Sequence, residues 1–128
     1  HLGVYAFFTM VMFGSVYYIA PRLLNREWFS ARLIKVHFWG TAAGMALYWV
    51  SLTWGGWLQG MRMNDPDVPF LDIVDMTIPY LGARSVAGVL MTIGHIAFLV
   101  LAWRMFTLRG AELRGPTLLR VEEEGGTP

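Results

Sequence analysis

Uncharged, apolar stretches recur three times along the chain and determine its predicted architecture. They run from Leu2 to Ala20, from Val36 to Leu58 and from Ser85 to Trp103. A helix rises about 1.5 Å per residue, so about twenty residues span the roughly 30 Å hydrocarbon core of a bilayer. The pattern predicts an all-α membrane protein with three transmembrane helices.

Local signals predict where these helices begin and end. Pro21 is expected to end the first helix, and Ser30 is expected to cap the start of the second. After the second helix, the run "FLDIVDM" is amphipathic and predicts a short interfacial helix. The acidic, Gly-rich end "VEEEGGTP" predicts a disordered tail. The predicted helices cover about residues 1–20, 32–59 and 83–106, and the predicted tail covers 110–128.

Composition supports a membrane protein and limits its chemistry. The chain is 55% hydrophobic and has no cysteine, which excludes disulfides, Cys-ligated zinc or iron-sulfur clusters and covalent c-type haem within it. A bound cofactor must therefore use His, Met, Tyr or carboxylate ligands. No Gly-rich phosphate loop and no basic, aromatic surface for nucleic acid is present in the sequence. The first apolar stretch lacks the basic start and cleavage site of a signal peptide.

The distribution of charge predicts the orientation in the membrane. Lys and Arg near helix ends favour the cytoplasmic side, whereas acidic residues contribute little. The connection after the first helix is basic, the next connection is acidic, and the residues after the third helix are basic again. We therefore expect the N-terminal end to face the periplasm and the tail to be cytoplasmic. The basic residues of the two cytoplasmic segments are Arg22, Arg26, Arg32, Lys35, Arg104, Arg109, Arg114 and Arg120.

His1 is the first candidate ligand. Tyr5, Phe8 and Met12 follow it at helical spacing, so an imidazole and three large side chains are predicted to share one face. A neutral imidazole is a suitable axial ligand for haem iron, and the apolar side chains would pack against the macrocycle. The alternative is that His1 caps the helix or lies among lipid headgroups, and spacing alone favours this alternative.

The other two histidines are predicted to be structural. His95 lies in the middle of the third apolar stretch, where a polar side chain is costly, so we expect it to face the bundle interior and to hydrogen-bond a neighbour. A ligand role would need a further histidine or a metal at the same depth. His37, beside Lys35 and Trp39, is predicted to be an interfacial residue at the cytoplasmic end of the second helix.

Glycines and arginines complete the candidates. Small residues in membrane helices permit close packing, and we predict such contacts at Gly40 and Gly44 on the second helix and at Gly88 and Gly94 on the third. For Arg62 and Arg84, salt bridges to the loop aspartates are favoured. The alternative is that either arginine pairs with haem propionates, because a guanidinium binds carboxylates well.

Four stretches together resemble one known family. "HLGVYAFFTMVMFGSVYYIAPRL", "RLIKVHFW", "GGWLQGMRMNDPDVPFLDIV" and "PYLGARSVAGVLMTIGH" are similar to the last three helices of the catalytic subunit of haem-copper oxygen reductases. The likeness is greatest to the cbb3-type cytochrome c oxidases, the C family. It implies that residues 1–109 are the C-terminal part of a larger twelve-helix bundle, so we expect the chain to be a piece of a longer protein.

The resemblance also implies residue roles. In that family a His-x-His pair at the outer end of the tenth helix ligates both haems, and the chain begins at the second histidine. His1 is then an axial ligand of low-spin haem b, and Tyr5 and Phe8 are expected to line its pocket. Haem b3 and copper are expected in the complete subunit, on earlier helices. His37 and His95 match no ligand position of the family.

The implied whole enzyme is a terminal respiratory oxidase of the bacterial inner membrane. It takes electrons from membrane-anchored c-type cytochrome subunits, reduces oxygen to water and translocates protons, while a piece of three helices alone is expected to be inactive. One alternative is the nitric oxide reductase large subunit, whose counterpart helix has an acidic residue soon after the histidine, where this chain has Tyr5. A second is a three-helix membrane scaffold that binds no metal.

Overall fold

The computed structural model describes residues 1–107, and they are almost entirely helical. The chain begins with a π-helical segment, Leu2–Thr9, which continues as α1, Met10–Leu24. Two longer helices follow: α2, Ala31–Met63, and α3, Phe70–Thr107. The predicted all-α fold is therefore confirmed. The predicted tail over 110–128 lies outside the described residues.

The sequence predicted that the first helix ends at Pro21, and this prediction is wrong. The helix continues to Leu24 and ends at Asn25, whose φ of 51° is left-handed. Proline has no N–H and leaves the carbonyl four residues before it, that of Tyr17, without its helical donor. The indole N–H of Trp28 donates to that carbonyl at 3.1 Å. The helix passes through the proline because a side chain supplies the missing hydrogen bond.

Ser30 caps α2 as predicted, because its hydroxyl accepts the Leu33 N–H at 3.4 Å. The prediction of a separate interfacial helix before the third span is wrong, since α3 is continuous from Phe70 through Pro79. The Pro69 carbonyl accepts the amides of Asp72 and Ile73 in the first turn of α3, at 3.1 and 3.4 Å. Pro79 removes only one backbone donor from a helix of 38 residues. The connection between α2 and α3 is therefore short.

Two helical stretches, Leu2–Leu24 and Phe70–Thr107, are long and apolar enough to cross a membrane. Large apolar side chains such as Val4, Phe7 and Leu23 are exposed on the first of them, as is typical of contact with lipid or with other membrane helices. α2 is also long, with 33 residues, but it is less apolar. Its crossing of the bilayer and the orientation of the chain stay predictions.

Glycines bring α2 and α3 together, as predicted for Gly40, Gly44 and Gly94. A Cβ at Gly44 would lie 2.9 Å from the Ala87 carbonyl oxygen, and one at Gly94 would lie 3.1 Å from the His37 carbonyl oxygen. The backbones therefore touch where side chains are absent. The prediction for Gly88 is wrong, because a Cβ there would meet nothing within 4 Å.

The first helix is attached differently, through large side chains. No Cα atom of α1 lies within 8 Å of a Cα atom of α2 or α3. The rings of Phe13 and Tyr17 reach across this gap and meet the ring of Phe98 edge to face, at 4.8 and 5.6 Å. Trp28, Leu101 and Met105 form a buried cluster next to Tyr17. Aromatic side chains therefore help to position α1.

The glycine contact predicts that Gly44→Ala destabilises the protein by about 1–3 kcal/mol, because the new methyl group would overlap a backbone oxygen of α3. Gly88→Ala is the matched control, and it should be neutral or stabilising by about 1 kcal/mol, since alanine favours helix and the site is open. Thermal unfolding of the purified protein in detergent would measure both. Equal stability of the two variants would contradict the tight contact.

The hydrogen bond across Pro21 predicts that Trp28→Phe costs about 1–3 kcal/mol of unfolding free energy, because the Tyr17 carbonyl loses its donor. Pro21→Ala restores a backbone N–H to that carbonyl, so the same Trp28 substitution should cost less when both changes are combined. The four unfolding free energies form a double-mutant cycle. A Trp28→Phe cost that is independent of residue 21 would show that ring packing alone is responsible.

Candidate functional site

His1 stands at the start of the π-helical segment with its imidazole exposed. Its carbonyl oxygen accepts the N–H of Tyr5 at 2.9 Å and that of Ala6 at 3.3 Å. Its ring lies beside the Tyr48 ring of α2, with centroids 5.2 Å apart and planes inclined by 33°. Within residues 1–107, no side chain is hydrogen-bonded to the imidazole. The ring is therefore positioned by α2 and retains both nitrogens for a ligand.

An open cavity of about 390 Å³ adjoins this imidazole. A second, apolar groove of about 330 Å³ lies beside it between the first helix and α2, and the two share three side chains. Walls of aromatic and apolar side chains with one free imidazole suit a flat, apolar cofactor held through a metal. The cavity is lined by His1, Leu2, Gly3, Met45, Tyr48, Trp49, Leu52 and Thr53, and the shared side chains are Leu2, Met45 and Trp49.

Helical spacing predicted that Tyr5, Phe8 and Met12 share one face with His1, but none of the three lines the cavity beside its imidazole. Tyr5 turns to α3 and hydrogen-bonds His95, whereas Phe8 and Met12 are 66% and 61% exposed. A π-helical turn contains more residues than an α-helical turn, so positions spaced for an α-helix diverge around the axis. Neither Tyr5 nor Phe8 lines the cavity beside His1.

His95 faces the bundle interior and is hydrogen-bonded, as predicted. Its Nδ1 lies 2.6 Å from the Met91 carbonyl oxygen, which can only accept, so Nδ1 carries the proton. Its Nε2 consequently accepts the hydroxyl of Tyr5, at 3.1 Å. The Met91 carbonyl, one turn earlier in α3, therefore sets the tautomer of His95. This tautomer leaves Nε2 as an acceptor for the Tyr5 hydroxyl of the first helical stretch.

His37 is not the interfacial residue that the sequence predicted, because only 1% of it is exposed. The Tyr17 hydroxyl lies 2.7 Å from its Nδ1, and the Phe13 ring meets it edge to face at 4.5 Å. Its Nε2 has no hydrogen-bond partner among the described residues. A signal was present in the sequence: His37 precedes Thr41 and Gly44 at helical spacing, on the face that packs against α3.

The two histidines lie side by side, with ring centroids 5.7 Å apart. Each is bonded to a tyrosine of the first helical stretch, Tyr5 to His95 and Tyr17 to His37. We call these four residues the Tyr–His cluster. It joins all three helices in an interior where unpaired polar groups are costly. Sequence reasoning missed it because the partners are separated by 90 and 20 residues.

The predicted salt bridges of Arg62 and Arg84 are not found, because within residues 1–107 neither arginine forms an ion pair with an aspartate. Arg62 instead lines an open cavity of about 490 Å³ together with Asp67 and Asp72, where α2 ends and α3 begins. Side chains at a solvated surface gain little from pairing. Across the same described residues, no group of three or more His, Cys, Asp or Glu side chains could hold a metal ion.

The family "Cytochrome C and Quinol oxidase polypeptide I" matches residues 1–90 of this chain. The chain belongs to this family. A cytochrome c oxidase subunit 1 homolog of Azorhizobium caulinodans is 30% identical over 120 residues, which is 88% of this chain and 21% of that protein. The resemblance inferred from the four sequence stretches is therefore confirmed.

Two further oxidase subunits are similar to this chain over most of its length. The cytochrome c oxidase subunit 1 of Rhodobacter capsulatus is 29% identical over 80% of this chain and 21% of its own length. The cbb3-type cytochrome c oxidase subunit CcoN1 of Stutzerimonas stutzeri is 28% identical over 81% of this chain and 23% of its own length. The chain thus spans about a fifth of the curated oxidase subunits that it matches. No solved structure matches it significantly.

In this oxidase-family chain, the Tyr–His cluster predicts a specific stability effect. Tyr17→Phe leaves both ring nitrogens of His37 without a hydrogen-bond partner among the described residues and is expected to cost about 1–3 kcal/mol of unfolding free energy. Tyr18→Phe is the control, because Tyr18 is 54% exposed, and it should change stability by no more than about 0.5 kcal/mol.

Thermal unfolding in detergent would compare these variants with Tyr17→Phe combined with His37→Leu. Replacing both partners by apolar groups should cost less than the sum of the two single changes, because no polar group is then left unpaired. Additive costs would mean that the hydrogen bond contributes little.

Proposed function

We propose that this chain is part of the catalytic subunit of a cbb3-type terminal oxidase, in which His1 is an axial ligand of low-spin haem b. The observation that carries the proposal is the His1 imidazole, which has no hydrogen-bond partner within residues 1–107 and adjoins an open cavity with mainly apolar and aromatic walls. Membership in the oxidase family supports haem and copper as cofactors. The remaining ligands would come from other parts of the subunit.

The residues around the cavity fit a haem. His1 would bind the iron through a neutral imidazole, while Tyr48 limits the rotation of that ring. Met45, Trp49 and Leu52 would pack against the macrocycle and exclude water, which lowers the reorganisation around the iron. When bound, the haem supplies an iron that passes single electrons. Phe8 is exposed, where the rest of the subunit would pack, and its contact with the haem stays a prediction.

The whole enzyme would reduce oxygen to water with electrons from membrane-anchored c-type cytochromes and would couple this reaction to proton translocation. Haem b3 and copper would lie in the remaining part of the subunit, which is the first partner of this chain. The lipid bilayer is the second partner, because two of the described helices are apolar enough to span it. We place the protein in the bacterial inner membrane, with the His1 end toward the periplasm.

The proposal predicts the optical spectrum of the complete protein purified through this chain. A reduced-minus-oxidised spectrum should show low-spin b haem, c-type cytochrome and a b haem that changes when carbon monoxide is added. If His1 and a second ligand from the rest of the subunit hold the low-spin haem, its iron would pass electrons without binding carbon monoxide, so only the oxygen-reducing haem should respond. A colourless preparation would instead indicate a metal-free scaffold.

His1→Ala in the complete subunit should abolish the low-spin haem b signal, because no other described side chain adjoining the cavity offers an imidazole. Met12→Ala is the matched control on the same helix, since Met12 is 61% exposed and lies away from the cavity. It should keep the full signal per unit of assembled protein. A normal low-spin signal in His1→Ala would refute the assignment.

A further inference from the structure

The π-helical segment Leu2–Thr9 directly follows the proposed haem ligand. π-Helical turns are rare in proteins, and those that do occur are often found at functional sites. At the start of the segment the His1 carbonyl accepts two amides: Tyr5 at 2.9 Å, the partner of an α-helix, and Ala6 at 3.3 Å, the partner of a π-helix. Farther along, the Thr9 hydroxyl donates to the carbonyl of Val4, five residues earlier, at 2.9 Å. The His1 carbonyl can therefore accept either the α-helical or the π-helical backbone hydrogen bond, and we call these two patterns the α-helical and π-helical registers.

Whether the first turn is α-helical or π-helical determines the direction in which the His1 side chain points. An α-helical turn has fewer residues than a π-helical turn, so conversion of one turn would shift the preceding residues by nearly one position, on the order of 100° around the axis. Such a rotation would move the His1 ring away from Tyr48 and from the cavity beside α2. An axial haem ligand tolerates little misorientation, so an additional contact must select the register.

The Tyr5–His95 hydrogen bond is that contact. No residue of Leu2–Thr9 is buried, so general packing holds the segment only weakly. The Tyr5 hydroxyl reaches His95 Nε2 at 3.1 Å, and the bond from His95 Nδ1 to the Met91 carbonyl fixes His95 as the acceptor. The next residue, Ala6, donates the π-helical bond to the His1 carbonyl at 3.3 Å, beside the Tyr5 N–H that donates to the same oxygen at 2.9 Å. A continuous series of hydrogen bonds thus runs from α3 to the turn that carries His1.

We propose that the Tyr5–His95 hydrogen bond holds Leu2–Thr9 in its π-helical register and thereby sets the orientation of the His1 imidazole on the haem iron. Tyr5 and His95 are positioning residues, which act through His1 and do not bind the haem. The inference rests on the proposed ligation of haem b by His1. It also gives Tyr5 a role different from the pocket lining predicted from the sequence.

The test is electron paramagnetic resonance of the oxidised low-spin haem in the complete oxidase, together with its midpoint potential. Both depend on how the axial imidazoles are oriented and hydrogen-bonded. Tyr5→Phe should shift the g-values and the potential while haem content per protein is retained. His95→Leu should give the same shift. The double variant should give no larger shift, because each single change already removes the same Tyr5–His95 hydrogen bond.

Two variants separate the hydrogen bond from the side chains themselves. His95→Gln keeps an acceptor near the position of Nε2 and should retain the parental signal. Tyr18→Phe removes a hydroxyl from an exposed residue of α1 and should change neither quantity. Parental g-values and potential in both Tyr5→Phe and His95→Leu would overturn the inference. If His1→Ala kept the low-spin haem, the proposed function itself would fail, whatever the Tyr5 variants show.

Amide hydrogen exchange tests the same inference in any variant that loses haem. Without the Tyr5 anchor, exchange should become about fivefold faster within Leu2–Thr9 only, the factor expected for the loss of one net hydrogen bond. α2 should keep its parental rates. Uniformly faster exchange through α2 and α3 would show that His95 supports the whole bundle, and that result would also overturn the inference.

Discussion

The close contact between α2 and α3 is the constraint on which the rest of the described structure depends. Where glycines face each other, the two backbones touch, and this contact buries His37 and places it 5.7 Å from His95. Imidazoles that are buried, as His37 is, or half-buried, as His95 is, need hydrogen-bond partners. Tyr17 and Tyr5 supply one partner each, so the position of the first helix follows from how tightly the other two pack.

The same requirement explains how the first helix tolerates a proline. In an apolar interior, a carbonyl freed by proline must be bonded by something other than water. Trp28 bonds the freed carbonyl of Tyr17, and the Tyr17 hydroxyl in turn bonds His37. One tyrosine therefore joins the proline turn, the connection to α2 and the buried histidine, which is why the helix continues past Pro21 to Leu24.

The candidate haem site lies at the least buried end of this arrangement. His1 is held by a ring contact with α2 and, through the adjacent turn, by the Tyr5–His95 bond to α3. The outer face of the segment is exposed and apolar. Such a face suits a chain that spans about a fifth of its relatives' length, because the remaining helices of an oxidase subunit would cover it.

The sequence by itself determined the helical class, the cap at Ser30, the glycine contacts of α2 and the family. These features follow from local periodicity, from backbone chemistry and from residue order, all of which are visible in short stretches. Only the tertiary structure decided the burial of His37, the continuity of α3 through Pro79 and the π-helical register after His1. The burial of His37 depends on hydrogen bonds and packing between segments far apart in the chain, and no local pattern encodes which distant partner will satisfy a polar group.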